Sequence, residues 1–282
     1  MIVSRFAPSP TGRLHLGHAV SAVRAHDLAR AGDGRFLLRI EDIDGTRSRA
    51  AHVEAILLDL GWLGLAWDGP VVFQSDRMRL YRTALARLEG EGLIYPCFCT
   101  RAEIAASLVA PHGPTPVYPG TCRSLSAAER RARGGEDHSL RLDVAAALAR
   151  TGPLAWWDET ADCVAADLGA GGDVVLARKD LGTSYHLSVT VDDAAQSVTD
   201  VVRGRDLFEA THVHRLLQAL LDLPTPRYHH HPLVVGGDGE RLAKRHGSPT
   251  LESLRLAGVD GLALADGLRT GRLPLGFSLG AL

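Results

Sequence analysis

Cysteine, lysine and long apolar runs are all scarce in this sequence. Four cysteines in 282 residues are too few to predict a disulfide framework, which favours a cytoplasmic protein. The chain has no apolar run long enough to cross a membrane, and its N-terminus lacks the basic and then apolar layout of a secretion signal. These absences argue against the secreted and membrane classes of protein, and we expect no membrane partner.

Net charge and lysine content narrow the choice of partners. The formal charge is −2 at pH 7, so any contact with RNA must come from local patches rather than general attraction. Nearly every basic residue is arginine, and Lys179 and Lys244 are the only lysines. Lysine is a compact charge on a flexible stem and suits a phosphate that moves during a reaction. The two lysines are therefore candidates for such a role, with chance as the competing explanation.

Apolar patterning predicts strands and helices along the chain. The predicted strands cover residues 1–3, 35–40, 71–73, 173–177, 198–202 and 233–235. The predicted helices cover residues 19–31, 207–221, 250–257 and a segment that begins at Asp76, a candidate N-cap, and ends near residue 92. A chain of this length fits one large domain or two small ones.

The stretch from Arg5 to His18 carries the first candidate site. It reads RFAPSPTGRLHLGH and lies between a predicted strand and a predicted helix. Unpaired N–H groups and the helix dipole attract an anion at such a junction. Gly17 would allow a ligand to approach the backbone, and His15 and His18 add two imidazoles. We predict a nucleotide phosphate site, and the alternative is an ordinary loop whose histidines lie on the surface.

Charged residues follow two further predicted strands. Ligands of open α/β sheets bind at the carboxyl ends of strands, so Glu41, after residues 35–40, is placed to pair with a substrate ammonium. Arg203, after residues 198–202, can bind a carboxylate with two hydrogen bonds. As a surface cation, Arg203 would face the unfavourable end of the next helix, which favours the ligand role. The alternative for Glu41 is solvation of a loop.

Three of the four cysteines suggest a metal site. Cys97 and Cys99 form a C-x-C pair, and Cys122 follows a loop rich in proline and glycine. Three thiolates suit Zn²⁺, which prefers four ligands in a tetrahedron. The fourth ligand is either Tyr118 or His112, and a phenol binds once the metal removes its proton. The alternative is three buried structural thiols.

Three consecutive histidines at residues 229–231 do not predict a metal site. Alternate side chains of an extended segment point to opposite faces, so the three rings cannot all reach one ion.

Two motifs of this chain resemble the signature motifs of class I aminoacyl-tRNA synthetases. The His-Ile-Gly-His motif corresponds to His15-Leu16-Gly17-His18, and the Lys-Met-Ser-Lys-Ser motif corresponds to Arg241-Leu242-Ala243-Lys244-Arg245. The stretches at residues 5–12, 39–42, 185–187, 191–193 and 201–204 are similar to the glutamyl branch of that class. The C-x-C…Y-x-x-x-C spacing resembles the short glutamyl-Q tRNA(Asp) synthetase family, which lacks an anticodon-binding domain.

The resemblance implies an α/β fold with a Rossmann-like parallel sheet, split by a zinc-bearing insertion. The catalytic domain would comprise residues 1–95 and 173–235, and the insertion residues 96–172. Residues 236–282 would form the signature loop and a short C-terminal helical segment, with no anticodon-binding domain. The resemblance also implies one structural Zn²⁺, held by Cys97, Cys99, Tyr118 and Cys122.

The same resemblance implies an activity and its residues. L-glutamate and ATP would form glutamyl-adenylate without tRNA, and glutamate would pass to the queuosine base at the wobble position of tRNA(Asp). The implied glutamate site comprises Arg5, Phe6, Ala7, Pro8, Ser9, Glu41, Tyr185 and Arg203. The implied ATP site comprises His15, Gly17, His18, Arg241, Leu242, Ala243, Lys244 and Arg245. His15, His18 and Lys244 would be catalytic, with Mg²⁺ on the phosphates, in a cytoplasmic monomer.

The chain departs from the full-length pattern in the second motif. Ala243 and Arg245 replace its serines and Arg241 its first lysine, so hydroxyl contacts to phosphate are lost and slow turnover is expected. Val189 stands where full-length enzymes usually have asparagine, which fits the short family. Three alternatives remain. They are a truncated glutamyl-tRNA synthetase that charges a tRNA 3′ end, a ligase that gives glutamate to a non-RNA acceptor, and a non-catalytic RNA-binding relative, against which the intact His15, His18 and Lys244 argue.

Overall fold

The computed structural model describes residues 1–100, 102–104, 118–168, 171–237 and 249–281. Within these ranges the helices are α1 (Leu16–Ala31), α2 (Ala50–Trp62), α3 (Met78–Gly90), α4 (Ala127–Ala132), α5 (Val144–Thr151), α6 (Tyr185–Ala195), α7 (Ala210–Leu220), α8 (Leu251–Leu256) and α9 (Gly261–Arg269). The strands are β1 (Val3–Phe6), β2 (Arg35–Ile40), β3 (Val72–Phe73), β4 (Ile94–Cys97), β5 (Ser139–Leu142), β6 (Ala155–Asp158), β7 (Asp162–Ala165), β8 (Val175–Ala177), β9 (Asp200–Gly204), β10 (Arg227–His231), β11 (Val234–Gly236) and β12 (Phe277–Leu279). The predicted α/β class is confirmed.

Parallel strands form the central layer. β2 pairs in parallel with β1 and β3, and β10 pairs in parallel with β9 and β6. The two groups meet where the backbone N of Thr199 donates to the carbonyl oxygen of Val3 at 2.9 Å. In the order of the strands, β2 lies next to β1 on one side of this junction, and β10 lies next to β9 on the other side. The junction of β1 and β9 is therefore a switch point in strand order, where open α/β sheets bind ligands.

Side-chain alternation along β2 divides the apolar core into two faces. Phe36 and Leu38 pack in the cluster that contains α1 and α2, while Leu37 packs with Val3 and Tyr228. Neighbouring residues of a strand point to opposite faces, so one strand supports both clusters. Among the helices that the structure describes, none has the length and apolar character needed to span a bilayer.

Several boundaries near the central layer differ from the sequence-based expectation, among them that of β9, which covers Asp200–Gly204 rather than 198–202 and so contains Arg203. β1 extends to Phe6 rather than ending near residue 3, because it pairs with β2 along its whole length. α1 begins before residue 19 because the side chain of His15 caps it. Asp76 was wrongly predicted as an N-cap, since it lies in a 3-10 turn over Gln74–Arg77 and α3 begins after that turn. Arg5 is consequently held by strand backbone and not by a loop.

A second, antiparallel sheet follows α3. Its middle strand β5 pairs with both β4 and β8. The hairpin of β6 and β7 falls within the predicted insertion, yet β6 pairs in parallel with β10 through Asp158 and Tyr228. The segment thus returns to the central layer before residue 172. The predicted division into domains stays a prediction.

Buried charges tie β2 to the helices behind it. Asp192 on α6 is fully buried and accepts hydrogen bonds from Tyr81 Oη at 2.7 Å and Gln74 Nε2 at 2.8 Å. Arg39 on β2 is also fully buried, and its guanidinium lies 2.8 Å from a carboxylate oxygen of Asp193. A buried charge is tolerated only while it keeps its partners. These contacts therefore fix the position of β2 relative to α6.

Replacing Arg39 with methionine should destabilise the fold strongly. The apolar side chain leaves Asp193 with one cationic partner fewer in a buried site, which typically costs about 3–5 kcal/mol in the free energy of unfolding. Urea unfolding measures this value. Arg35→Met, at an exposed position of the same strand, serves as the control and should change the value by less than about 0.5 kcal/mol. Equal values for the two variants would contradict this view of the network.

Candidate active site

A cavity of about 270 Å³ opens at the carboxyl ends of β1 and β9. Its wall contains all eight residues of the predicted glutamate site, namely Arg5, Phe6, Ala7, Pro8, Ser9, Glu41, Tyr185 and Arg203. His15, Gly17 and His18 of the predicted ATP site line the same cavity. The fold thus brings the two sets together at the switch point, and the chemical roles of these residues stay predictions.

The two histidines form the N-terminal cap of α1. Nδ1 of His15 accepts a hydrogen bond from the backbone N of Gly17, and Nδ1 of His18 accepts one from the backbone N of His15, both at 3.1 Å. When Nδ1 accepts, the proton of a neutral ring resides on Nε2. Each ring can then offer an Nε2–H donor near the positive end of the helix dipole.

Gly17 makes room for the cap itself. A Cβ at this position would lie 3.0 Å from Cε1 of His15, which is tighter than ordinary van der Waals contact. The sequence suggested glycine here for the approach of a ligand, whereas the nearest neighbour in the structure is the capping ring.

Arg5 is buried and already has a carboxylate partner. Its Nε and NH2 groups donate to Oδ1 and Oδ2 of Asp193 at 3.0 and 3.3 Å. Burial by itself would raise the pKa of Asp193, but the guanidinium groups of Arg5 and Arg39 outweigh it and hold this pKa below its usual range. The side chain of Arg5 is thus fixed in direction by a neutralising ion pair.

Arg203 is equally buried but lies among uncharged partners. It is 5% exposed, and it donates to Tyr185 Oη at 3.3 Å, Thr211 Oγ1 at 2.7 Å and His230 Nε2 at 3.1 Å. Within the described part of the chain, no carboxylate forms an ion pair with it. A buried cation without a counter-ion is costly. Arg203 is therefore prepared for an anionic ligand in the cavity.

Glu41 lies between this cavity and the buried charges. Its carboxylate is 3.6 Å from the guanidinium of Arg39, and the side chain is 13% exposed. Burial raises the pKa of Glu41 to about 7, in spite of the opposing effect of Arg39 and Arg5. A carboxyl group with this pKa gains or loses its proton near neutral pH, so its attraction for a cationic ligand changes in that pH range.

Several residues of the site escaped the sequence analysis. Thr211 and His214 lie three residues apart on α7 and both face Arg203. That helical spacing is the one signal from which they could have been found. Asp193 belongs to a stretch singled out for its resemblance, but its bond to Arg5 joins residues far apart in the sequence, and no local pattern predicts it.

The second signature motif lies outside the described residues. Arg241, Leu242, Ala243, Lys244 and Arg245 fall in the range 238–248. Their part in an ATP site stays a prediction from the sequence. The same holds for His112 as an alternative metal ligand.

The predicted metal ligands lie together beside the second sheet. The Sγ atoms of Cys97, Cys99 and Cys122 are all within 4.8 Å of one another. Tyr118 Oη is 3.3 Å from Cys97 Sγ and 3.8 Å from Cys99 Sγ. Zinc–sulfur bonds in a tetrahedron separate two sulfurs by about 3.8 Å, so this donor set fits Zn²⁺. The guanidinium carbon of Arg141 lies 3.9 Å from the centroid of the Tyr118 ring.

Comparison with known proteins assigns the family. The family model of class I tRNA synthetases (E and Q), catalytic domain, matches residues 1–273. The chain therefore belongs to the class I aminoacyl-tRNA synthetases, in the branch for glutamate and glutamine.

Individual relatives refine this assignment. A glutamyl-Q tRNA(Asp) synthetase of Rhodobacter capsulatus is 50% identical, over 92% of this chain and 96% of the relative. One of Symbiobacterium thermophilum is 49% identical, over 92% of this chain and 83% of the relative. A glutamate–tRNA ligase of Oleidesulfovibrio alaskensis is 40% identical, over 99% of this chain and 58% of the relative.

A solved structure agrees with the fold. The crystal structure of a glutamate tRNA ligase from Elizabethkingia meningosepticum, in complex with its amino acid, superimposes with a TM-score of 0.75 at 27% identity. The match covers 88% of this chain and 54% of that protein. This chain therefore spans about half the length of the solved ligase.

Replacing a cysteine of the cluster should remove the metal. Protein purified with zinc in the medium should carry about one zinc per chain, and Cys97→Ser should carry far less, because a structural site needs its full set of four ligands. Elemental analysis of dialysed protein measures the content. Cys163→Ser, an exposed cysteine outside the cluster, is the matched control and should retain zinc. Equal zinc in both variants would contradict the assignment.

Proposed function

We propose that this protein activates L-glutamate with ATP in the absence of tRNA and transfers glutamate to the queuosine base at the wobble position of tRNA(Asp). The relatives at 49–50% identity are named glutamyl-Q tRNA(Asp) synthetases, which supports this proposal. The structural observation that carries the proposal is Arg203, a buried guanidinium without a described carboxylate partner, in the wall of a cavity that also contains the N-terminus of α1. An anionic amino acid fits beside an anionic nucleotide there.

The charges in the cavity support a preference for glutamate. Arg203 would receive the side-chain carboxylate of glutamate, Glu41 would receive the ammonium, and Arg5, already paired with Asp193, would border the same site. Glutamine is uncharged at its side chain, so it would leave a buried cation without a counter-ion. Sites that depend on a buried polar partner reject such analogues strongly.

Activation needs little covalent chemistry from the protein. An oxygen of the glutamate α-carboxylate attacks the α-phosphorus of ATP, the bond to the bridging oxygen breaks, and pyrophosphate leaves with that electron pair. His15, His18, the N-terminus of α1 and Lys244 would stabilise the charge that develops on the phosphoryl oxygens. Mg²⁺ bound with ATP would offset charge on the phosphates.

Transfer completes the reaction. A hydroxyl of the queuosine base attacks the carbonyl carbon of glutamyl-adenylate and loses its proton, and AMP leaves. Zn²⁺ at Cys97, Cys99, Tyr118 and Cys122 would hold the insertion together and take no part in these steps. We further propose that the protein acts in the cytoplasm, where ATP and tRNA are available, and as a monomer.

Labelling of defined tRNAs tests the acceptor. Protein is incubated with ATP, labelled glutamate and tRNA(Asp) with or without queuosine. We expect label only in the tRNA that carries queuosine, and we expect it to remain after removal of the 3′-terminal nucleoside. Label on the 3′ end of a tRNA would contradict the proposal, as would label on a non-RNA acceptor.

The two lysines provide a test of the signature loop. Lys244→Ala should reduce exchange of pyrophosphate into ATP by about 100-fold or more, because loss of one cation from a charge-stabilising site has effects of this size. Lys179→Ala removes the other lysine, at an exposed position, and should leave exchange unchanged. If both variants exchange like the wild type, the loop has been assigned wrongly.

The pKa of Glu41 predicts a pH dependence. Because this pKa is raised to about 7, the carboxyl is protonated below that pH, and the protonated form does not attract an ammonium. In pyrophosphate exchange, kcat/KM for glutamate should fall towards tenfold per pH unit below about pH 7 and level off above it. Glu41→Gln should lower kcat/KM at about pH 8 and remove the acid limb. A wild-type profile that is flat from about pH 5.5 to 8 would contradict this role.

A further inference from the structure

The guanidinium of Arg203 is held on its buried side by groups that carry no charge. Nε donates to His230 Nε2 at 3.1 Å, NH1 lies 3.3 Å from His214 Nδ1, and NH2 donates to Thr211 Oγ1 at 2.7 Å. The second ring nitrogen of His214 lies 3.2 Å from His186 Nδ1. Imidazole thus occupies positions where carboxylates usually support a buried arginine.

A buried carboxylate determines which nitrogen of His230 carries the proton. Asp158 is fully buried, and its Oδ2 lies 2.6 Å from His230 Nδ1. Its Oδ1 accepts from the backbone N and the hydroxyl of Thr160 at 3.0 and 2.6 Å. An ionised carboxylate only accepts, so Nδ1 of His230 must be the donor. Nε2 then presents a lone pair to the Nε–H of Arg203.

The surroundings keep these rings neutral. Burial, with the nearby charge of Arg203, lowers the pKa of both His230 and His186 to about 4. The same causes lower the pKa of His214 well below its usual value. The direction agrees with the hydrogen bonds, because a ring that accepts from a guanidinium cannot be protonated at that nitrogen.

We infer that Asp158 and His230 are positioning residues that fix the direction of Arg203 while leaving its charge for a ligand carboxylate. Arg5 shows the contrast, since its direction is fixed by Asp193, which also neutralises it. Asp158 orients the ring of His230, and this ring in turn orients the guanidinium of Arg203. Because the ring is neutral, it places no counter-ion against the guanidinium. This inference rests on the proposed role of Arg203 in binding glutamate.

Two substitutions of His230 separate positioning from packing. His230→Ala removes the acceptor, and it should raise KM for glutamate about tenfold, the factor that one hydrogen bond to a charged group is worth. KM for ATP should stay unchanged in the same pyrophosphate exchange assay. His230→Gln should restore most of the loss, because its carbonyl oxygen can accept from Arg203 while its amide donates to Asp158.

His229 provides the matched control. It is the neighbour of His230 on β10, it is buried, and its Nε2 lies 2.8 Å from an oxygen of Asp200. Its bonds are to Asp200 and Glu159, not to Arg203. His229→Ala should leave KM for glutamate unchanged. An equal rise in this control would mean that the effect of His230→Ala is general loss of packing, and it would overturn the inference.

Substitution of Asp158 tests the assigned proton position. In Asp158→Asn, an amide N–H facing Nδ1 would force the ring proton to Nε2, against the Nε–H of Arg203. If the amide adopts the opposite orientation, its N–H groups face the backbone N–H of Thr160, so that two donors oppose each other. KM for glutamate should therefore rise about as much as in His230→Ala, with an unchanged far-ultraviolet circular dichroism spectrum. An unchanged KM would overturn the inference even if His230→Ala failed to fold.

The double variant distinguishes this inference from the proposed function. If His230 acts through Arg203, adding His230→Gln or His230→Ala to Arg203→Ala should raise KM for glutamate no further. Additive effects would overturn the positioning role and leave the role of Arg203 intact. If Arg203→Ala alone leaves KM for glutamate unchanged, the proposed glutamate site itself is wrong.

Discussion

The buried carboxylate of Asp193 is the contact on which the cavity depends. It accepts two hydrogen bonds from Arg5 at the end of β1 and lies 2.8 Å from the guanidinium of Arg39 on β2. One side chain of α6 therefore joins two parallel strands at the edge where their carboxyl ends meet. Because each charge is buried, movement of any one of the three would cost another a partner. These ion pairs therefore fix the position of Arg5 in the wall of the cavity.

Two buried arginines face this cavity under opposite electrostatic conditions. Arg5 forms an ion pair with Asp193, so its charge is largely neutralised within the protein. Arg203 is held by tyrosine, threonine and histidine, which orient it without neutralising it. Arg5 mainly stabilises the architecture, and Arg203 supplies a positive charge that no carboxylate among the described residues pairs with. A ligand with a carboxylate is the natural counter-ion, which connects the packing of the fold to the selectivity proposed for glutamate.

The sequence predicted the parts of the site that follow from strand ends. Glu41 comes directly after β2 and Arg203 lies near the carboxyl end of β9, and in a parallel sheet those ends share one edge. The spacing of the cysteines likewise predicted a cluster, because Cys97 and Cys99 leave one strand together. Among elements with strong local patterns, β2 was predicted to its limits and α1 to its C-terminal limit.

Contacts between distant segments could not be predicted in this way. Asp158 reaches His230 only because β6 pairs with β10, and nothing within either segment indicates that pairing. The histidines of α1 were expected to face a ligand, but their Nδ1 atoms are also used to cap the helix. The sequence pattern did not predict this capping role, because histidine is not among the residues preferred at an N-cap.

Exchange of labelled pyrophosphate into ATP by the wild-type protein, with no RNA present, tests the central claim most directly. The account predicts exchange with glutamate and none with glutamine, because Arg203, which has no carboxylate partner among the described residues, is available in the cavity for the side-chain carboxylate, and because this cavity needs no tRNA to form. Absence of exchange with glutamate, or equal exchange with the two amino acids, would contradict it.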